Sequence, residues 1–176
     1  MTKLHLGCGT VHLDGYINID IRYLPGVDVV DNAKYLRRYK ESSVDEIYAC
    51  HVLEHFNRWE ARSVLSRWCE VLRDGGVLMV SVPDFDAVAA RYQKTGDLLE
   101  LIGLLYGGQD YPENFHHYCW NFDTLTSELR RCGFTRVERF DWELTDHAGV
   151  DDYSKAYLPH MDEGGLLMSL NLRATK

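Results

Sequence analysis

The chain has 176 residues, and 19 Lys and Arg against 27 Asp and Glu leave a formal charge of −8. This length suits one domain spanning residues 1–176 with a self-sufficient core, and 45% apolar with 12% aromatic residues exclude a disordered chain. The acidic balance argues against a nucleic-acid partner, whose phosphates require clustered Lys and Arg, and no apolar run approaches the roughly 18 residues of a membrane span.

The N-terminus lacks the apolar stretch of a signal peptide. Cys8, Cys50, Cys69, Cys119 and Cys132 are odd in number and never spaced C-x-x-C, so they read as reduced thiols of a cytoplasmic protein. In chain order, Lys3–Cys8 is a short apolar run that stops at Gly7-Cys8-Gly9, and Ile17–Ile21 alternates like a strand. Val27–Asp31 follows a Pro25-Gly26 turn, and Val44–Val52 reads as a strand passing into a helix. Val64, Leu65, Trp68, Val71 and Leu72 recur at helical spacing, with a glycine C-cap expected at Asp74-Gly75-Gly76. Val77–Val82 is continuously apolar, as suits a parallel strand buried on both faces.

Asp84–Tyr106 has a helical pattern with weak points at Gly96 and Gly103, and Gly107–Trp120 is a polar, aromatic loop. Asp123–Cys132 reads as a helix capped by Asp123 or Thr124, with Gly133 just past its end. Thr135–Trp142 and Ser169–Lys176 complete the strands; the acidic stretch Thr145–Gly165 between them is a long loop or partly helical. Strands alternating with helices specify an α/β fold around a mostly parallel sheet.

Asp20 follows Gly9 by only eleven positions, which constrains the first connection. A five-residue strand is about 17 Å long, and seven residues advance only about 10 Å as helix but about 23–25 Å when extended. If the first two strands are parallel, Thr10–Tyr16 must therefore be a nearly extended loop in place of a crossover helix. The alternative is a hairpin, which puts Asp20 at the opposite end of the sheet from the glycines.

The ordered set LHLGCG, INIDI, VDEIYACHVLEHF and VLRDGGVLMVSVPDF resembles class I S-adenosylmethionine-dependent methyltransferases. It is most similar to small methyltransferases that often accompany surface-glycan synthesis. The resemblance implies a doubly wound, Rossmann-like sheet with an antiparallel last strand, and S-adenosylmethionine as cofactor. It implies that Gly7 and Gly9 flank the methionine part, that Asp20 holds both ribose hydroxyls with Ile21 also in the cofactor site, and that Asp31 and Asn32 meet the adenine edge. Cys50 and His51 then stand near the transferred methyl. The chain departs from the family pattern at His5, where many members have an acidic residue, and in its shortened first crossover.

His116 is the first candidate for a base toward an alcohol acceptor and His51 the second. Tyr106, Tyr111, Phe115, Tyr118 and Trp120 offer rings to stack on a sugar or bury a lid. Asp84 is expected to cap the following helix. His51-Val52-Leu53-Glu54-His55 also has the inverted zinc-hydrolase spacing, which needs a helix and a third ligand. Its place in the ordered set explains it without zinc, so no metal is expected, and Glu54 or His55 is expected to cap or solvate a helix start. The composite expectation is a methyltransferase acting on a small-molecule or glycan-related hydroxyl; the alternative is a binding or accessory module of the same fold. Gly107–Trp120 and Thr145–Gly165 must supply the lid, or a second copy of the chain in a homodimer must.

Overall fold

The computed structural model describes residues 1–160 and 162–176; Met161, inside the acidic stretch, lies outside them. The first strands are β1 (Lys3–Leu6), β2 (Ile17–Asp20), β3 (Val29–Val30) and β4 (Val44–Cys50). Helix α1 (Ala61–Val71) leads directly into β5 (Leu72–Pro83), which is followed by α2 (Phe85–Thr95), α3 (Ile102–Tyr106) and α4 (Phe122–Arg131). The chain ends with β6 (Arg136–Arg139), the short hairpin β7 (Tyr157–Leu158) and β8 (Leu166–Leu167), and β9 (Ser169–Thr175).

Seven strands form one sheet in the order β3-β2-β1-β4-β5-β9-β6, wound outward in both directions from β1. β1 to β5 are mutually parallel, while β9 runs antiparallel to both of its neighbours. The mostly parallel, doubly wound sheet with an antiparallel last strand is therefore present. Its arrangement brings the carboxyl ends of β1, β2, β3 and β4 to one edge, where open α/β sheets bind ligands.

The short crossover is resolved in favour of the parallel layout, with Leu4 opposite Ile17 and Leu6 opposite Ile19. Residues 7–16 contain turns and extended chain and no helix. One buried side chain supports this loop. The Asn18 amide oxygen accepts from the Leu13 N–H at 3.0 Å and from His5 Nδ1 at 3.0 Å. Its Nδ2 group is within reach of the Leu13 and Tyr16 carbonyls and of the Asp28 carboxylate, at 3.1–3.3 Å. A polar group inside the protein needs such partners, because leaving one unpaired costs about 1–3 kcal/mol.

On one face of the sheet, Val64, Leu65 and Trp68 of α1 and Leu125 and Leu129 of α4 pack onto the strands. Burying each such side chain contributes about 1.5–3 kcal/mol. The Trp68 indole also donates to the Ala33 carbonyl at 2.8 Å, tying the chain after β3 to α1. On the other face Leu13, Tyr48 and Met79 cluster with Tyr16, Phe140 and Val150, so loops cover it.

Several local expectations are corrected. α1 ends at Val71, before the Asp74-Gly75-Gly76 cap position, because Leu72 turns extended and pairs with Val44. The segment after β4 is a single 3-10 turn, Leu53–His55, and no longer helix. Gly96 does end α2 in the left-handed conformation, but Gly103 lies inside α3. α4 is capped by Asn121, whose side chain accepts from the Thr124 N–H in a reciprocal capping box; Asp123 and Thr124 lie within the first turn. Asp84 caps α2 as expected, accepting from the Asp86 N–H at 3.1 Å.

Two stability outcomes are expected. Asn18→Leu removes the side-chain partner of Leu13 and Tyr16 in the crossover and of His5 at once, and lowers unfolding free energy by about 3 kcal/mol, read from urea melts. His5, buried between Asn18 and Tyr48, has its pKa lowered by burial. Neutral His5 therefore supports the fold fully above pH about 6.5, and that support is lost as pH falls below it. Wild-type stability should decline between pH 7.5 and 5.5, and His5→Gln should flatten part of the decline. His147, shifted downward by burial against Tyr48, supplies another part.

Candidate functional site

A cleft of about 260 Å³ opens at the carboxyl edge of the sheet. Gly7 after β1, Asp20 and Ile21 at the end of β2, Asp31 and Asn32 after β3, and His51 after β4 all line it. Six of the eight expected cofactor-binding residues thus meet in one place. Gly9 stands just outside and acts through its backbone, donating its N–H to Asp20 Oδ2 at 2.8 Å. Cys50 faces the opposite side of β4, against the Tyr48 and Met79 cluster, and burial pushes its thiol pKa up. A one-residue step along a strand reverses the side-chain direction, which separates Cys50 from the cleft.

Gly7 has φ 61 and packs against Val52, so any side chain there would overlap a Val52 methyl. Asp20 is 5% exposed and is held by three donors. Besides Gly9, the Arg22 N–H reaches Oδ1 at 2.8 Å and Arg22 Nε reaches it at 3.2 Å. The Arg22 guanidinium in turn lies 4.1 Å from the centre of the Tyr111 ring. Tyr111, Pro112, Glu113 and His117 make the outer wall, so the aromatic loop expected to cover this edge does so. In the Thr145–Gly165 stretch, Val150 and Asp152 lie on the other face, where Asp152 accepts from the Tyr48 hydroxyl at 2.6 Å, while the Tyr153 ring lies 5.3 Å from the His51 ring. Arg22 was not anticipated; nothing in its local pattern distinguishes it from a surface arginine.

His51 is a non-glycine residue at φ 53, held there by its N–H bond to the Ser81 carbonyl at 2.8 Å. Its Nδ1 lies 3.2 Å from Glu54 Oε1, and its Nε2 lies 3.1 Å from the Ser169 hydroxyl. Glu54 is 1% exposed, and neither carboxylate oxygen has a well-directed hydrogen-bond donor. Burial by itself raises the Glu54 pKa, but His51, His55 and His116 outweigh it and hold the carboxyl below its ordinary value. Glu54 therefore neither caps nor solvates a helix start: it lies enclosed within the 3-10 turn, which has no side-chain cap. The inverted-zinc spacing is likewise not realised, since a left-handed residue and a 3-10 turn do not put His51 and His55 on one helix face.

His116 does not line the cleft. Its ring packs edge-on against His55 at 4.8 Å, its Nδ1 bonds the Leu104 carbonyl at 2.9 Å, and burial lowers its pKa. The loop carrying it is tied down by the Glu54 carbonyl, which accepts from the His117 N–H at 2.8 Å.

Residues 4–80 match the family described as a methyltransferase domain. No curated protein matches the chain by sequence. Among solved structures, a SAM-dependent methyltransferase from Archaeoglobus fulgidus is similar at 14% identity and TM-score 0.60, over 99% of this chain and 86% of that one. The Burkholderia thailandensis 1,6-didemethyltoxoflavin-N1-methyltransferase, solved with S-adenosylhomocysteine, is similar at 17% identity and TM-score 0.62, over 99% and 70%. A SAM-dependent methyltransferase from Methanosarcina mazei gives 17% and 0.57, over 99% and 92%. At these identities the structural likeness establishes the shared Rossmann-like fold.

The geometry at Gly7 has a direct consequence. Gly7→Ala should cost about 1–3 kcal/mol in urea unfolding, from positive-φ strain plus the clash with Val52, whereas Gly15→Ala should cost only the strain, since nothing lies within 4 Å of its added carbon.

Proposed function

From the SAM-dependent methyltransferase that the matched domain and shared fold support, with S-adenosylmethionine as cofactor, we propose a chain that methylates a hydroxyl oxygen of a small acceptor. The observation that carries this reading is the convergence of the pre-oriented Asp20 carboxylate and His51 on a single cleft. The residues present fit a nucleoside. A carboxylate offers about four lone-pair sites, so Asp20 retains capacity for a ribose hydroxyl beside its two backbone donors, and gains more when Arg22 Nε withdraws. Ile21 is exposed and offers an apolar face for a base ring. Asn32 spends its side-chain oxygen on the Lys34 N–H, which leaves its amide group for the base edge beside Asp31.

The cofactor supplies a methyl group on a sulfonium sulfur, and transfer to an acceptor oxygen needs alignment and exclusion of water. Gly7 allows close backbone approach at the methionine end, and Tyr111, Pro112 and Glu113 flank the cleft on its outer side. In this reading His51 receives the acceptor's hydroxyl proton at Nε2, now on the Ser169 hydroxyl. Glu54, 3.2 Å from Nδ1, stabilises the resulting imidazolium. His116 Nε2 lies on the other side of the same carboxylate, 3.9 Å from Oε1. A glycan-related sugar is our preferred acceptor, with the exposed rings of Tyr106 and Phe115 as stacking faces. The free cysteines support a reducing compartment, the cytoplasm.

A specific observation also favours the accessory-module reading: the Arg22 guanidinium rests on the carboxylate that the ribose needs. Calorimetry with S-adenosylhomocysteine separates the two. Methyl transfer requires saturable binding by the wild type, weakened at least tenfold in Asp20→Ala and strengthened in Arg22→Ala. Absence of binding at millimolar ligand would leave the accessory module.

A further inference from the structure

Beside the donor cleft lies a second group of side chains that donor binding does not use. Glu54, His55 and His116 each place one ligand atom within 4.8 Å of the others. Glu54 is fully enclosed, and its nearest polar neighbour, His51 Nδ1 at 3.2 Å from Oε1, is not directed well enough to satisfy either oxygen. An ionised carboxylate in that condition is costly unless a cation or a set of hydrogen bonds compensates it.

The two histidines are oriented as ligands require. His55 Nδ1 lies 3.2 Å from the Phe115 carbonyl, and His116 Nδ1 lies 2.9 Å from the Leu104 carbonyl. A carbonyl oxygen only accepts, so each Nδ1 carries the hydrogen and each Nε2 keeps its lone pair. This arrangement is typical of metal-ligating histidines, whose other ring N–H is held by a carbonyl or carboxylate. His116 Nε2 is 3.9 Å from Glu54 Oε1. Two donors each about 2.1 Å from one ion can be at most about 4.2 Å apart, so this pair spans a cation as it stands, and His55, within 4.8 Å of both, completes the set with a shift of under about 1 Å.

We propose that Glu54, His55 and His116 form a binding site for a divalent first-row transition-metal cation. Two imidazoles and one carboxylate suit manganese, iron or zinc better than magnesium or calcium, which prefer all-oxygen shells. Three protein ligands leave coordination positions open. His55 also lines the donor cleft, so the open positions border the space where an acceptor lies. The cation therefore serves as a template that binds the acceptor through its oxygen. This role toward the acceptor rests on the methyl-transfer reading, whereas binding of the cation does not.

The test uses the whole chain, stripped with chelator and titrated with Mn²⁺ while free Mn²⁺ is followed by electron paramagnetic resonance. One saturable site is expected, with affinity reduced at least tenfold in Glu54→Gln and in His116→Ala and unchanged in His160→Ala. Circular dichroism confirms that each variant is folded, and His116→Gln replaces His116→Ala if the latter is not. Absence of saturable binding by the wild type at 1 mM Mn²⁺ (on the order of the weakest useful site) and equally at 1 mM Zn²⁺ overturns the site. Binding that survives both substitutions in folded protein overturns it as well. S-adenosylhomocysteine calorimetry on the metal-free protein runs in parallel. Donor binding without binding of either Mn²⁺ or Zn²⁺ overturns only the metal site, whereas cation binding without donor binding removes the cation's role toward the acceptor.

Discussion

The fold depends on one amide. Asn18 sits fully buried in β2 and joins β1 through His5, the crossover through Leu13 and Tyr16, and the approach to β3 through Asp28. In most parallel α/β units a helix closes the first crossover and satisfies its own backbone groups. Here the loop is too short for that helix, and its buried N–H and C=O groups must find partners elsewhere. A single side chain with an acceptor at one end and two donors at the other supplies several of them. The parallel register of β1 and β2, and hence the meeting of Gly9 with Asp20, follows from that support.

The second organising group is Glu54. Its carbonyl anchors the aromatic loop through His117 and Tyr118, while its carboxylate is surrounded by His51, His55 and His116. One residue thus connects the end of β4, the outer wall of the cleft and the histidines behind it. A buried charge contributes little net stability, since desolvation consumes much of the Coulomb gain. Its presence is better explained by the positions it imposes on three imidazoles than by any contribution to folding.

Much of the architecture was legible in the chain. The two-residue alternation of Ile17–Ile21, the apolar run Val77–Val82 and the helical spacing around Trp68 all correspond to observed elements. The extended crossover followed from chain length alone, because the distance along a strand and the rise of a helix are fixed quantities. Misreadings occurred where a tertiary contact overrode a local preference. The Asp74-Gly75-Gly76 cap failed because Leu72 pairs with Val44, and the expected helix after β4 failed because His51 is held in the left-handed region by Ser81. At the site, strand-end glycines and carboxylates were readable by position. Arg22 and the enclosure of Glu54 were not, since each depends on a loop that returns from about 60 to 90 residues away, a separation at which sequence spacing carries no geometry.

The sequence by itself determined the order of elements, the missing crossover helix and the strand ends at which a ligand could be met. These depend on periodicity and on backbone dimensions, which are local. Only the tertiary structure decided which of the histidines share a carboxylate, that His51 faces the cleft while Cys50 faces away, and that Arg22 and Tyr111 close over Asp20. The physical reason is that side-chain direction at a strand end, and the landing point of a long loop, are set by packing between distant segments.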